Sequence, residues 1–234
     1  MGSDRYLPFL PIILNWIQQT LYDHARERRA VSSFNFPRLP RYFSEGLLNT
    51  ASVVPCDRLP VPPLSALGLP EFADFESQPA REITYRDTYF LWRADATDES
   101  VHFHELVHVV QWQVLGPKDF LLLYAAGLAE SGYRDCWLEA MAYEHQRRFD
   151  AGDPPYAVDL RIREVSQQYW HGGLPPLSTP NVFSWWRGLR GERISLSVLH
   201  ADVVFDQLSR VCDSEQTTRR YFAIVNVQTR FPKW

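Results

Sequence analysis

The chain has 234 residues, which is long enough to bury a substantial core in one or two domains. Hydrophobic residues make up 45% of it and charged residues 22%, the balance of an ordinary globular protein. The formal net charge is -4. We therefore expect no nucleic-acid partner, because phosphate binding needs a basic surface.

The cysteines indicate a reducing environment. Cys56, Cys136 and Cys212 are isolated and odd in number, so they form neither a disulfide framework nor a CxxC pair. A cytoplasmic protein is the expectation. The apolar run at residues 7–16 is broken by prolines and is too short to span a bilayer, so no membrane partner is expected. The pattern gives no oligomeric state.

Residues 1–80 are expected to form an N-terminal helix and a proline-rich packed segment. Apolar side chains recur at helical spacing over residues 11–30, which predicts an amphipathic helix. Prolines recur between residues 36 and 79 and forbid long helices there, with a short helix predicted at 45–51 and a turn or two within 64–75. This stretch carries too many apolar side chains for disorder.

Residues 83–92 predict a β-strand, because they are rich in β-branched and aromatic side chains and have polar flanks. At least one further strand is expected beside it, since a lone strand leaves its backbone groups unpaired. If this strand lies at a sheet edge, it can add an extended peptide to the sheet. If it lies in the interior of the sheet, it cannot.

The next helix is predicted at about residues 99–115, ended by Gly116 and Pro117. It contains the pattern His-Glu-x-x-His at His104, Glu105 and His108. Positions i and i+4 of a helix share one face, so two imidazoles at this spacing can hold one zinc ion while the intervening Glu sits near a metal-bound water.

This helix is apolar nearly all round, which predicts burial. Burying two imidazoles and a carboxylate is costly unless they are paired or bind a metal. The alternative is that His104 and His108 are satisfied core histidines and that Glu105 reaches solvent. The completeness of the pattern, the burial of its helix and a ligand available downstream favour the zinc site.

Further helices are predicted at residues 118–131, 135–149 and 158–171, separated by glycine and proline. Residues 81–150 would then form the metal-binding core. Residues 151–234 would form a C-terminal extension of unknown role, partly helical with a strand at 221–227. We expect the three segments to form one compact unit.

Zinc needs a third protein ligand and an open fourth position. No third His follows the motif at the spacing of an extended signature, so a Glu from another helix is expected. Glu139 is the first candidate, because it lies beside an apolar stripe of its helix. Glu144 projects toward a more polar side, and Glu130 lies at a helix end. Alternatively, Glu139 is a surface residue that pairs with Arg147.

The HExxH helix, a short helix and then Leu138-Glu139-x-x-Ala142-Tyr143 together resemble the gluzincin class of zinc metallopeptidases, closest to the small bacterial minigluzincins. The resemblance covers about residues 83–149. It implies an α+β, mostly helical fold with a zincin-like core: a small sheet, an HExxH helix and a Glu-bearing helix. It also implies Zn²⁺ held by His104, His108 and Glu139, with Glu105 as the general base.

A hydrolytic site also needs a donor to the oxyanion. Tyr143 is the first candidate, because it lies on the same helix face as Glu139; larger relatives carry an Asp at its position. His145 and His171 are weaker candidates. His102 points away from His104. Cys136 could serve as a latent zinc ligand, although a buried inert thiol is the simpler interpretation.

These features predict a zinc-dependent metallopeptidase that hydrolyses a peptide or protein substrate with a metal-activated water. Two alternatives stay open. One is a catalytically silent or autoinhibited protein on the same scaffold, with the region from Asp150 filling the cleft. The other is a zinc hydrolase that acts on a non-peptide amide.

Overall fold

The computed structural model describes residues 3–77, 80–133 and 135–172. The helices are α1 (Leu10–Asp23), α2 (Glu45–Thr50), α3 (Ala73–Ser77), α4 (Glu99–Ser131), α5 (Trp137–Asp150) and α6 (Val158–Gly172), and the strands are β1 (Arg29–Ala30), β2 (Ser52–Cys56), β3 (Glu82–Tyr85) and β4 (Thr88–Trp92). Short 3-10 helices occupy Ser3–Phe9, Val31–Phe34, Leu39–Arg41, Pro70–Phe72 and Arg93–Asp95. The fold is therefore α+β and mostly helical.

The sheet has four strands in the order β1-β2-β4-β3 and is mixed, because β2 and β4 run parallel while the outer pairs are antiparallel. The single strand predicted at residues 83–92 is wrong in one respect. The stretch is a hairpin whose turn includes Arg86, at a left-handed φ of 60°. The turn residues Arg86 and Asp87 include no glycine, the usual signal of a two-residue hairpin turn, so the sequence does not reveal where the chain reverses.

Strand β2 was not predicted, because Pro55 lies within it. Ser52 donates its backbone N–H to the carbonyl of Asp87, on the β4 side. Backbone N–H groups alternate along a strand between its two neighbours, so positions 53 and 55 direct their backbone toward β1. Strand β1 begins at Arg29, the partner of Val53, so Pro55, whose N–H is missing, lies beyond the paired part of β1.

Helix α1 ends at Asp23, one turn and more before the predicted end of the 11–30 helix. The side chain of Arg28 folds back and donates to the carbonyl of Leu21 (3.0 Å), which satisfies one of the last helix carbonyls. Arg29 then begins β1 by pairing with Val53. Strand pairing, which the local pattern does not encode, therefore ends the helix early.

Helix α4 begins at Asp98, whose side chain accepts a hydrogen bond from the N–H of Ser100 (3.0 Å). It breaks at the predicted stop, since Gly116 has φ 74° and ψ 165°. The chain resumes helical geometry at once with Pro117, which suits a first helical position because its missing N–H has no helical partner there. The two halves of α4 therefore meet at a kink.

Two apolar clusters lie on opposite faces of the sheet. On β2, Val53 belongs to one and Val54 to the other, as the alternation of a strand requires. The first cluster joins the HExxH half of α4 to α5 and α6. The second joins α1 and the 59–72 segment to the far half of α4.

The segments expected from the sequence pack against one another within the described residues. Strands from residues 29–56 pair with a strand from 82–92 in one sheet. Helix α6, at the start of the expected C-terminal extension, contributes Val158, Ile162 and Val165 to the first cluster. The described residues all lie within one compact unit. The expected strand at 221–227 lies outside the described residues.

Candidate metal centre

Two of the expected ligands lie side by side on the first half of α4. Asp98 caps this half and Gly116 ends it, so the HExxH segment is one continuous run of helix. The Nε2 atoms of His104 and His108 are 3.1 Å apart, and both side chains are buried, with 2% and 5% of their surface exposed. The helical i, i+4 spacing therefore produces the pairing that the sequence predicted.

The third expected ligand lies opposite them on α5. Glu139 Oε2 is 3.4 Å from Nε2 of His104, and Glu139 Oε1 is 3.4 Å from Nε2 of His108. Ligand atoms that each lie about 2.0–2.1 Å from one tetrahedral ion are about 3.3 Å from each other. The three side chains thus have the spacing of ligands that share an ion, and together they can hold one.

The competing Glu residues lie elsewhere. Glu144 forms an ion pair with Arg147 on the surface of α5 (2.8 Å), so the ion pair that was considered for Glu139 is made by Glu144. Glu130 is exposed. Of the candidate Glu ligands, the structure brings Glu139 alone to the histidines within the described residues.

The hydrogen bonds around the two imidazoles fix their tautomers. Gln111 donates its amide N–H to the carbonyl of Leu138 (3.0 Å), so its oxygen is the atom that faces Nδ1 of His108 (2.8 Å). Gln146 likewise donates to Ser100, so its oxygen faces Nδ1 of His104 (3.0 Å). An amide oxygen only accepts, so both Nδ1 atoms carry the proton.

When the imidazoles are neutral, this arrangement points the lone pairs of both Nε2 atoms at each other. Two facing lone pairs repel unless a cation or a proton lies between them. Glu139 Oε2 is also buried without a hydrogen-bond partner, which is costly for a carboxylate. A divalent ion would satisfy all three donors at once, so the residues present fit a metal.

Without a metal, the Glu139 carboxylate forms ion pairs with the two histidines. Burial alone lowers the pKa of His108, but the Glu139 carboxylate outweighs it and raises that pKa to about 9. In return, His108 and His104 overcome the effect of burial on Glu139 and hold its pKa below the usual value. Glu139 is therefore an anionic ligand at neutral pH.

Glu105, the expected general base, lies beside the ligands with 1% of its surface exposed. Thr84 on β3 donates its hydroxyl hydrogen to Oε2 of Glu105 (2.5 Å), which orients the carboxyl. Burial raises the pKa of Glu105, offset in part by the charges of His108 and His104. A carboxylate with a raised pKa is a stronger proton acceptor, as general-base catalysis requires.

Three tyrosines surround the centre. Tyr143, the expected oxyanion donor, packs its ring against His104 with 4.7 Å between ring centroids. Tyr133 lines the adjoining cleft. Tyr124 donates its hydroxyl to Oε1 of Glu139 (2.7 Å). Sequence reasoning missed Tyr124 and Tyr133, because their spacing from the motif carries no signal without the tertiary packing.

The other expected side chains serve elsewhere or lie outside the description. His102 accepts from the hydroxyl of Tyr89 and donates to the carbonyl of Ala96, and burial lowers its pKa to about 4. His145 contacts Tyr156, and burial lowers its pKa to about 3. Cys136 is buried beside the helix backbone and is not one of the three grouped ligands, and the side chain of His171 is not described.

A cleft opens onto the centre and contains a cavity of about 110 Å³. Glu105, His108 and Glu139 lie along it together with Glu82 and Thr84 of β3. Burial and the nearby Glu105 raise the pKa of Glu82 to about 7. Glu82 is a further polar residue that the sequence did not single out, because it lies one position before the predicted strand.

Comparison of the chain with protein-family models, curated proteins and solved structures gives no significant match. Within the described residues, no helix is both long enough and apolar enough to cross a membrane. The geometry of the candidate metal centre is therefore the basis for any functional conclusion.

Proposed function

We propose that the protein is a zinc-dependent metallopeptidase of gluzincin type, with a zincin-like core. The observation that carries the proposal is the buried group of His104, His108 and Glu139, with Glu105 beside it on an open cleft. Two imidazoles and one carboxylate form the ligand set of hydrolytic zinc sites that leave the fourth position to water.

Zinc fits these donors better than the common alternatives. Mg²⁺ and Ca²⁺ prefer six or more oxygen ligands, whereas two of the three donors here are imidazole nitrogens. A zinc ion bound at this site would lower the pKa of a coordinated water from 15.7 to about 7 and polarise a carbonyl. The remaining steps belong to side chains of the chain itself.

Glu105 is placed to take a proton from the attacking water and pass it to the leaving amine, because its carboxyl is buried, oriented by Thr84 and raised in pKa. The hydroxyls of Tyr133 and Tyr143 are the candidate hydrogen-bond donors to the oxyanion. Tyr133 lines the cleft, and the ring of Tyr143 packs against His104.

The sheet supports a peptide as the substrate. Strand β3 pairs with β4 and lies at the end of the described strand order, so its other side carries unpaired backbone groups. Residues 82–84 of this edge line the cleft. An extended peptide can add to such an edge by backbone hydrogen bonds, which would place its amide beside Glu105.

Replacing Glu105 with Gln tests the proposal. The E105Q variant should bind zinc as wild type does, because Glu105 is not among the three ligands, and it should lose peptide hydrolysis by at least about 10²-fold. Elemental analysis and peptide cleavage followed by mass spectrometry measure the two properties. A purified wild-type protein that binds no zinc, or an E105Q variant that is fully active, would overturn the proposal.

The autoinhibited alternative is tested by truncating the chain, and the packing of α6 decides where the cut must fall. A cut after Asp150 would remove Val158, Ile162 and Val165 from the core and would destabilise the fold. A cut after residue 172 leaves this packing intact. If the protein shortened at that point cleaves peptides faster than the full chain, the autoinhibited alternative gains; equal rates remove it.

A further inference from the structure

A second pocket lies on the surface beyond the metal-centre cleft. It has a volume of about 390 Å³, and its lining comes from the 57–63 segment, α3, the residue before β3 and the end of β4. Val61, Pro62 and Ala80 line both this pocket and the cleft. The two cavities are therefore neighbours across a shared wall, and we name the second one the distal pocket.

The free edge of β3 connects the metal centre with the distal pocket. Trp92 donates its backbone N–H to the carbonyl of Arg81 (2.9 Å), so hydrogen-bonded pairs recur at positions 81, 83 and 85, whose backbone faces β4. The backbone groups at positions 82 and 84 then point away from the sheet. Thr84 contacts Glu105 with its hydroxyl, and Ala80 lies at the distal pocket. The edge therefore runs from the expected general base to the distal pocket.

The two ends of this edge are separated by a few residues of extended chain. Ala80 precedes Thr84 by four positions, which is about 13 Å at ~3.3 Å per residue. A peptide paired with the edge advances at the same rate, so its residue opposite Ala80 lies about four positions from its residue opposite Thr84. A substrate bound beside Glu105 therefore extends to the distal pocket.

Trp92 gives the distal pocket an aromatic surface. It is 42% exposed at the end of β4 and shares the pocket with apolar side chains that include Val61 and Pro62. An exposed apolar group that continues into an apolar surface is more typical of a binding site than one that stands alone. The guanidinium of Arg81, paired with Asp95, lies 6.0 Å from the ring centroid of Trp92 and restrains it. A restrained ring loses less entropy on binding.

The carboxylates of the distal pocket already have partners. Asp57 forms an ion pair with Arg93 (3.1 Å), and Glu76 accepts a hydrogen bond from the hydroxyl of Ser65 (2.7 Å). The indole of Trp92 is then the main surface left for recognition, and aromatic side chains pair with it by offset or edge contacts. The chemistry of the pocket therefore favours an aromatic occupant.

We propose that the distal pocket binds an aromatic side chain of an extended peptide substrate, about four residues away from the scissile bond. The inference rests on the proposed function, because it adds a second binding site for the same substrate. It assigns recognition to Trp92, which does not touch the reacting atoms. The amino-acid sequence far from the scissile bond would then control how tightly the substrate binds.

The test uses the full-length zinc-loaded protein and a blocked peptide of about eleven residues that it cleaves at one bond, with Trp, Glu or Ser placed in turn at each position up to about five residues from that bond. Trp should raise kcat/KM over Ser about tenfold at a position about four residues away, on one side, mainly through a lower KM. Equal rates for Trp and Ser at every distant position would overturn the inference. A preference for Glu would also overturn it, because recognition would then belong to the exposed Arg58.

Replacing Trp92 assigns the effect to its ring. Trp92→Ala should reduce the ratio of kcat/KM for the Trp and Ser peptides about tenfold, whereas Trp92→Phe keeps an aromatic face and should retain most of the ratio. Tyr22→Ala is the matched control, since Tyr22 is 76% exposed and lines neither cavity, and it should leave the ratio unchanged. A folded W92A variant with the wild-type ratio contradicts the assignment.

Binding separates a failure of this inference from a failure of the proposed function. The E105Q variant, loaded with zinc, is titrated calorimetrically with blocked alanine-rich peptides that carry or lack one Trp. If wild type cleaves no peptide but E105Q binds the Trp peptide about tenfold more tightly, and W92A removes this gain, the distal pocket stands and the peptidase proposal fails. If wild type cleaves peptides but E105Q binds both equally, the distal pocket proposal fails.

The oligomeric state checks a different occupant of the distal pocket, a second copy of the chain. Sedimentation velocity compares wild type with W92A at equal concentration. If the two proteins have the same oligomeric state, the pocket is free to take a peptide, as the proposal expects. A wild-type dimer that Trp92→Ala dissociates would make the pocket an interface between copies and would overturn the proposal.

Discussion

Each of the three candidate ligands makes a hydrogen bond to a neighbouring side chain that is not itself a ligand. Gln146 accepts from His104, Gln111 accepts from His108, and Tyr124 donates to Glu139. Such contacts set the tautomer or the orientation of a ligand, so that its free donor atom already points at the ion. The side chains that orient the ligands therefore come from both α4 and α5, and not from the HExxH motif alone.

We predict that Tyr124→Phe weakens zinc binding by about 10–100-fold, because it removes the hydroxyl that orients Glu139 and leaves Oε1 of that carboxylate without this donor. A competition titration with a chromophoric chelator measures the affinity. Tyr22→Phe is the matched control, since Tyr22 is 76% exposed. Equal zinc affinity of Y124F and wild type would show that Glu139 needs no such support.

At the scale of elements, α4 and α5 meet at a close approach. A Cβ atom on Gly127, in the second half of α4, would lie 2.7 Å from Sγ of Cys136, just before α5 begins. Glycine is therefore needed here for space between the elements, and the buried thiol fills the gap left by its absent side chain. This contact helps to set the path by which Glu139 returns to the histidines.

Gly127→Ala is predicted to destabilise the protein by about 1–3 kcal/mol, because the added methyl group overpacks against Cys136. Adding Cys136→Ala should recover part of the loss, so the two changes are not additive. Gly46→Ala in α2 is the control: it meets nothing within 4 Å and should be neutral or stabilising by up to about 1 kcal/mol. Urea unfolding measures wild type, G127A, C136A, the double variant and the G46A control, and additive effects of G127A and C136A would contradict the contact.

The helices that carry the ligands could be predicted from the sequence, because their signals are local: apolar periodicity, an N-cap at Asp98 and a stop at Gly116. The pairing of His104 with His108 follows from helix geometry alone. Gln111 lies three residues after His108 on the same helix and was within reach of the same reasoning. Strand β2, the early end of α1 and the hydrogen bond from Tyr124 to Glu139 could not be predicted, because each depends on contacts between residues far apart in the sequence.

On the scale of the whole molecule, a bound ion would join α4 to α5, the two elements on which the first apolar cluster is built. Anything that binds the folded state and not the unfolded state raises stability by mass action. We predict that zinc at about 100 times its Kd raises the free energy of unfolding by about 2.7 kcal/mol and Tm by about 5–10 °C. Calorimetry with and without a chelator measures this, and a His108→Ala variant should show no zinc-dependent shift.

Acid should destabilise the fold through His102. Its folded pKa of about 4 lies below the value of about 6.5 for an unfolded chain, so between these values the unfolded chain binds a proton that the folded protein does not. Its contribution is complete above about pH 6.5 and is lost as the pH falls toward 4, on the order of 2–3 kcal/mol.

Urea unfolding at several values between about pH 7 and 4 measures that loss. His102→Gln, with a side chain that does not titrate, should show a shallower decline over this range, although its stability at pH 7 is lower because it loses the contacts with Tyr89 and Ala96. An equally steep decline in the variant would assign the acid sensitivity to other groups.

The cleft has a consequence for the exchange of the ion itself. The donor atoms are nearly buried, and Glu105, His108 and Glu139 open onto one cleft. A substrate group bound in this cleft would then also obstruct the route by which a chelator reaches a bound zinc ion. The residence time of the metal would lengthen whenever the cleft is filled, so the protein would hold its ion most firmly while substrate is bound.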